Sequence, residues 1–147
     1  MIYLVDTNVL LRFSFRDDPL HLIVRTAVRK LKEDGHKLQP TSQNFIEFWN
    51  VATRPTDKNG FGITLREADR SLRLLERLFP VLADAPNLYS EWRKIVVQFG
   101  VSGVQVHDAR LVAAMITNNI THILTFNTKD FARYNSYGIT AVNPTTI

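Results

Sequence analysis

Apolar positions along this chain follow two rhythms. Short runs of strand type occupy residues 2–5, 79–82, 122–126 and 139–142. Between them the spacing lengthens to a helical period over residues 20–31, 45–52, 64–78, 87–99 and 107–119, and a further helix begins within Thr7-Asn8-Val9-Leu10-Leu11. Local chemistry sets the boundaries. Gly35 ends the first long helix, Ser42 is the predicted N-cap of the next, and Pro55 stops it. Thr64-Leu65-Arg66-Glu67 has the form of a capping box. Residues 54–63 are turn-rich, with Pro55, Asn59-Gly60 and Gly62, and residues 100–106 form a loop around Gly103. Short strands alternating with helices require crossovers, so the expected fold class is α/β with a parallel sheet. In such sheets ligands gather where strands end and helices begin.

Composition narrows this further. The chain has 147 residues, with 18 Lys+Arg against 14 Asp+Glu, a formal net charge of +4. That length predicts a single domain over residues 1–147, able to bury roughly 68–70% of its unfolded surface. A 45% hydrophobic fraction is that of a globular chain. The absence of cysteine removes disulfides, thiolate zinc sites and cysteine nucleophiles together. No apolar run approaches the ~20 residues of a membrane span. The start, Met1-Ile2-Tyr3-Leu4-Val5-Asp6, lacks a basic segment and meets an acid early, unlike a signal peptide. The expectation is a cytoplasmic protein without a membrane partner. The modest positive charge is compatible with a nucleic acid.

Several acids then stand out by position. Asp6 directly follows the first strand, where a carboxylate is costly unless it caps a helix, pairs or binds a cation. Asp108 opens its helix on the face of Leu111, Val112 and Met115, either as first-turn dipole stabilisation or pointing towards a site. Glu47 lies mid-helix away from Phe45 and Trp49, and Arg54 at i+7 would share its face if the helix ran that far. Where the third strand ends and the chain turns, Asn127, Asp130 and the Thr125 hydroxyl are candidate ligands, with Asn127 and Asp130 equally readable as turn residues. Carboxylates gathered at one sheet edge repel one another, and a divalent cation relieves this. Hard oxygen donors favour Mg2+ or Mn2+ over zinc. His107 is a further candidate, and the four histidines show no HxxxH or HExxH spacing. Such a metal site acidifies a bound water and stabilises charge on a phosphoryl oxygen.

Four blocks in register carry a family resemblance: Val5-Asp6-Thr7-Asn8-Val9-Leu10-Leu11, Phe45-Ile46-Glu47-Phe48-Trp49-Asn50, His107 through Met115, and Ile123-Leu124-Thr125-Phe126-Asn127-Thr128-Lys129-Asp130-Phe131. Together they resemble the PIN-domain family, and within it the VapC-type toxins of bacterial toxin–antitoxin pairs. The resemblance implies a three-layer α/β/α sandwich with a short central parallel sheet. It implies a Mg2+- or Mn2+-dependent endoribonuclease whose metal is held by Asp6, Glu47 and Asp108. Thr7 and Asn8 match motif positions near the site, and Thr125 matches the hydroxyl position before the fourth block. Asn127 stands where the family often has an acid, with Asp130 the nearest carboxylate. The implied partners are RNA, a cognate antitoxin and a second copy in a homodimer.

Other features bear on partners. Arg66, Arg70, Arg73 and Arg77 form a basic stripe, opposite Leu65, Ala68, Leu72, Leu75 and Phe79, which are expected to face the core. The stripe reads as a phosphate track or as a solvated face balanced by Glu67, Asp69 and Glu76. Leu74 and Leu78 flank it as a possible dimer seam. Phe61 reads as a base-stacking residue or as a loop anchor, and Arg12, Arg16 and His21 as a ring around the acidic pocket. A phosphotransferase using Asp6 as nucleophile would need an acid at position 8, where Asn stands. The remaining alternative is a non-catalytic RNA- or protein-binding module of the same fold.

Overall fold

A computed structural model describes residues 1–147. It contains β1 (Ile2–Val5), α1 (Thr7–Ser14), α2 (His21–Glu33), β2 (Lys37–Gln39), α3 (Ser42–Thr53), α4 (Leu65–Leu78), α5 (Leu88–Gln98), α6 (Gln105–Thr117), β3 (His122–Leu124), α7 (Thr128–Phe131) and β4 (Thr140–Val142). The strands form one sheet in the order β2-β1-β3-β4, every pair parallel.

Alternation along the strands sends successive side chains to opposite faces. Tyr3 and Val5 of β1 join Leu38 and Leu124 in one core, with Val9, Leu10 and Leu11 of α1, Val24 and Val28 of α2, Phe45 and Phe48 of α3, and Leu75 of α4. Leu4 and Ile123 point the other way, into a core with Leu88 and Ile95 of α5 and Leu111, Val112 and Met115 of α6. The result is the expected three-layer α/β/α sandwich around a short parallel sheet. The strand order reverses between β1 and β3, so the crevice past their carboxyl ends is the topological switch point of the sheet.

Some elements differ from the sequence-based expectation. Residues 79–82 form no strand: Phe79 is the buried C-cap of α4, and Leu82 makes an isolated parallel bridge to Thr41. Pro80 lacks the N–H a strand would use there. The N-cap of α3 is Thr41, not Ser42. Thr41 is fully buried and forms a capping box with Asn44, its hydroxyl accepting the Asn44 N–H and its own N–H donating to the Asn44 side chain. Helix α6 begins at Gln105, so the 100–106 loop is shorter than expected. The third strand ends at Leu124, and β2 was not anticipated. Leu65, at the open first turn of α4, is 65% exposed rather than in the core. The capping box of Thr64 and Glu67 is present, Thr64 accepting from the Glu67 N–H and Glu67 accepting from the Thr64 N–H.

Candidate active site

Asp6 leaves β1 in extended conformation and caps α1, its Oδ1 accepting the Thr7 N–H at 2.8 Å. Its own N–H donates to Leu124, which carries the sheet ladder one residue past β1. Thr125, at the end of the neighbouring strand, donates its hydroxyl to Asp6 Oδ2 at 2.7 Å, and Asn8 Nδ2 donates to the same oxygen at 3.2 Å. Asn8 Oδ1 in turn accepts the Phe126 N–H at 3.2 Å. The carboxylate is 94% buried yet oriented on both oxygens, across a junction of β1 and β3.

Thr7 connects this junction to α3. Its hydroxyl donates to Glu47 Oε2 at 2.9 Å and accepts from Asn44 Nδ2 at 3.1 Å. Asn44 and Glu47 lie three residues apart and so share a face of α3. Glu47 Oε1 accepts from Gln43 Nε2 at 2.7 Å, one turn back. Gln43 Nε2 also donates to the His107 carbonyl at 2.9 Å, and Gln43 Oε1 accepts from Arg110 at 3.0 Å. Arg110 then pairs with Asp84 at 3.2 Å. Gln43 thus ties α3 to the first turns of α6, across a cleft of about 560 Å3 lined by Glu47, Asn50, His107 and Asp108. Asp108 is half-buried, with Leu111, Val112 and Met115 of its own helix face in the core as the spacing predicted.

These carboxylates feel one another. Burial pushes Asp6 up to about 6, offset in part by the Thr125 hydroxyl and the Thr7 N–H, and the charges of Glu47 and Asp130 push it the same way as burial. Burial pushes Asp108 up to about 7, reinforced by Asp6, Asp130 and Glu47 in that order, with no protein donor to offset it. Four acids from four segments of the chain therefore share one electrostatic neighbourhood. As placed, no three acidic or histidine side chains converge tightly enough to hold an ion without adjustment. The donor chemistry nonetheless fits a hard divalent cation: every candidate ligand is a carboxylate oxygen, and one is buried and already oriented by hydrogen bonds.

A family model for the PIN domain matches residues 3–136. The chain belongs to the PIN domain family. Solved structures share its fold at low sequence identity. VapBC2 from Rickettsia felis, bound to a DNA fragment from its promoter, aligns with a TM-score of 0.72 at 15% identity, over 97% of this chain and 98% of that one. VapBC-1 from nontypeable Haemophilus influenzae gives 0.70 at 18%, over 99% of each chain. FitAB bound to an IR36 DNA fragment gives 0.68 at 16%, over 100% of this chain and 97% of that one. A search of curated protein sequences finds no match.

Within this PIN domain the other candidates fall out unevenly. Asn127 is exposed at the start of α7; its N–H donates to the Thr125 hydroxyl at 3.0 Å, and its side chain makes no capping bond. Asp130, also exposed, is the residue of this segment whose charge reaches both Asp6 and Asp108. His107 lines the cleft, but its carbonyl is the group engaged by Gln43. Arg54 does not join the site. Helix α3 ends just before it, and its guanidinium turns back to the Asn59 carbonyl at 3.2 Å. Phe61 stacks on Phe15 at 3.8 Å between centroids and 8° between planes, so it anchors its loop. Arg12 lies beside the site, with Nη1 on the Asn8 carbonyl and the guanidinium over Phe126. Arg16 and buried His21 face a separate groove of about 240 Å3 with Arg25, Ser71 and Leu74. Sequence reasoning missed Gln43, Asn44 and Arg110. The i, i+4 spacing of Gln43 and Glu47 was the one signal available for any of them.

Proposed function

We propose that this PIN domain, acting as one unit over residues 1–147, is a divalent-metal-dependent endoribonuclease and the toxin of a VapC-type toxin–antitoxin pair. The observation that carries the reading is the double engagement of Thr7. Its N–H holds Asp6 and its hydroxyl holds Glu47, while Glu47 and Asp108 line one cleft. Asp6, Glu47 and Asp108 would hold Mg2+ or Mn2+, with Asp130 the nearest further acid. When bound, such an ion supplies an acidified water and stabilises charge on a phosphoryl oxygen. The chain's own groups orient that donor set. Thr125 and Asn8 fix the rotation of Asp6, Thr7 and Gln43 fix both oxygens of Glu47, and Asn44 fixes Thr7. Asn8 is spent on this positioning, which suits a hydrolase working through water rather than an aspartyl nucleophile.

The partners follow from the same reading. RNA is the substrate, and the fold shared with VapBC and FitAB assemblies supports a small antitoxin protein as the inhibitor. A homodimer and a cytoplasmic location complete it. No helix is long and apolar enough to cross a membrane.

The decisive test uses purified chain and single-stranded RNA. Cleavage is expected with Mg2+ or Mn2+, absent in EDTA, and lowered at least about a hundredfold by Asp6→Asn, Glu47→Gln or Asp108→Asn. Cleavage that survives chelation and all three substitutions overturns the reading. RNA retention with no cleavage under any metal identifies a binding module instead. Light scattering at twice 16.9 kDa supports the dimer, and a small open reading frame beside the gene supports the antitoxin.

A further inference from the structure

Helix α5 presents an aromatic pair, Trp92 packed against the core and Tyr89 exposed beside it. Tyr89 and Trp92 stack with centroids 5.8 Å apart and planes at 29°, and Tyr89 is 69% exposed. Trp92 is locked in place, its indole N–H donating to the Val106 carbonyl at 2.8 Å. Val106 belongs to the same first turn of α6 that carries Asp108. The pair walls a cleft of about 490 Å3, within the roughly 300–1,000 Å3 of small-molecule sites, with Pro86 and Leu88 as further apolar lining. Its polar end is formed by Asp84 and Arg110.

Arg110 also lines the carboxylate cleft, so the two depressions meet at its guanidinium. The hydrogen-bonded series Asp84, Arg110, Gln43, Glu47 runs from one to the other without a break. We propose that the Tyr89–Trp92 cleft is a subsite for an unpaired RNA base, adjacent to the carboxylates where the backbone is cut. This rests on the nuclease reading and adds the place where the substrate is gripped.

The chemistry matches the ligand on each side. A planar base stacks on an exposed tyrosine ring that leans at 29° against a second, fixed aromatic, and such stacking is tolerant of base identity. Arg110 uses two of its five N–H donors on Gln43 and Asp84, leaving others for a base edge or a phosphate. Asp84 Oδ2 takes Ser42 and Arg110, and its Oδ1 remains an acceptor for an exocyclic amine. A duplex keeps its bases stacked internally and cannot offer one to this cleft, so the subsite selects single strands or loops.

The test measures binding apart from cleavage. Full-length protein in EDTA is titrated with two fluorescein-labelled single-stranded oligonucleotides of equal length, one bearing bases and one abasic throughout. Wild type is expected to prefer the base-bearing strand. Tyr89→Leu should weaken that strand about five- to a hundredfold while leaving the abasic strand unchanged, and Tyr89→Phe should restore it. With metal present, Tyr89→Leu should raise KM by a similar factor and change kcat less than about twofold. Equal affinity of wild type and Tyr89→Leu for both strands overturns the subsite even if RNA is cut. Base-dependent binding lost in Tyr89→Leu upholds it even if no metal supports cleavage, in which case the nuclease reading fails alone. If Tyr89→Leu instead halves the mass of a dimer without changing RNA affinity, the aromatic face is a contact between copies and the subsite is overturned.

Discussion

At the scale of single residues, Asp6 is held against its own charge. Burial raises its pKa to about 6, yet three side-chain and backbone donors keep it oriented as an acceptor. Removing the charge while keeping the shape should therefore remove the pH dependence that Asp6 gives the fold and end the chemistry. Measured against wild type, the metal-free melting temperature of Asp6→Asn is expected to be more favourable at pH 8, where wild-type Asp6 is ionised, than at pH 5, although the amide nitrogen takes the place of one accepting oxygen. Differential scanning fluorimetry at the two pH values reads this directly. Asp130→Asn takes a negative neighbour from both Asp6 and Asp108, so NMR titration should find both groups with lower pKa values than in wild type. Asp6 was legible in the sequence because an apolar strand stops abruptly on an acid. Glu47 was legible through the family resemblance, since a mid-helix Glu is ordinarily solvated. Asn44 and Arg110 were not, because their roles exist through partners 37 and 67 positions away. Arg54 misled because the spacing argument assumed a helix that the chain ends one residue too early.

Among the elements, those with strong local chemistry could be read and those defined by pairing could not. The α4 capping box needs four consecutive residues and was visible at once. β2 is three residues with Lys and Gln around Leu38, and its identity as a strand comes from pairing with β1. The capping of α3 shows how an element's boundary reaches the site. Thr41 fixes the start of the helix and accepts from the Asn44 N–H, while its own N–H and hydroxyl donate to Asn44 Oδ1, the side chain that orients Thr7. Thr41→Ala should cost about 1–2 kcal/mol of stability in urea denaturation and should also slow RNA cleavage, although residue 41 carries no chemistry. The loop after α3 is equally tight. A Cβ at Gly60 would collide with the Arg54 carbonyl, so Gly60→Ala should destabilise by about 1–3 kcal/mol.

Over the whole molecule, the clustered acids link proton uptake to stability and, on the proposed reading, both to cation binding. Asp6 and Asp108 bind protons more tightly folded than unfolded, so between about pH 4 and pH 7 the folded chain carries the extra protons. Their contribution to stability is full below that window and is lost as pH rises through it. Metal-free protein is therefore expected to lose stability from pH 5 to pH 8 relative to an Asp6→Asn/Asp108→Asn double variant. Mg2+ should raise the wild-type melting temperature at pH 8 much more than at pH 5 and leave the double variant unmoved. Equal shifts in both proteins would show that the cation acts elsewhere.

The hydrogen bond from Thr125 to Asp6 spans 119 positions of sequence, and β3, which delivers it, sits between β1 and β4 in the sheet. A ribosome making this chain adds 118 residues between Asp6 and the threonine that completes its surroundings. On the proposed reading, the toxin is harmless to its own message until β3 and Thr125 have been made and have paired with β1. Any inhibitor translated beforehand then meets a nuclease that has only just become competent.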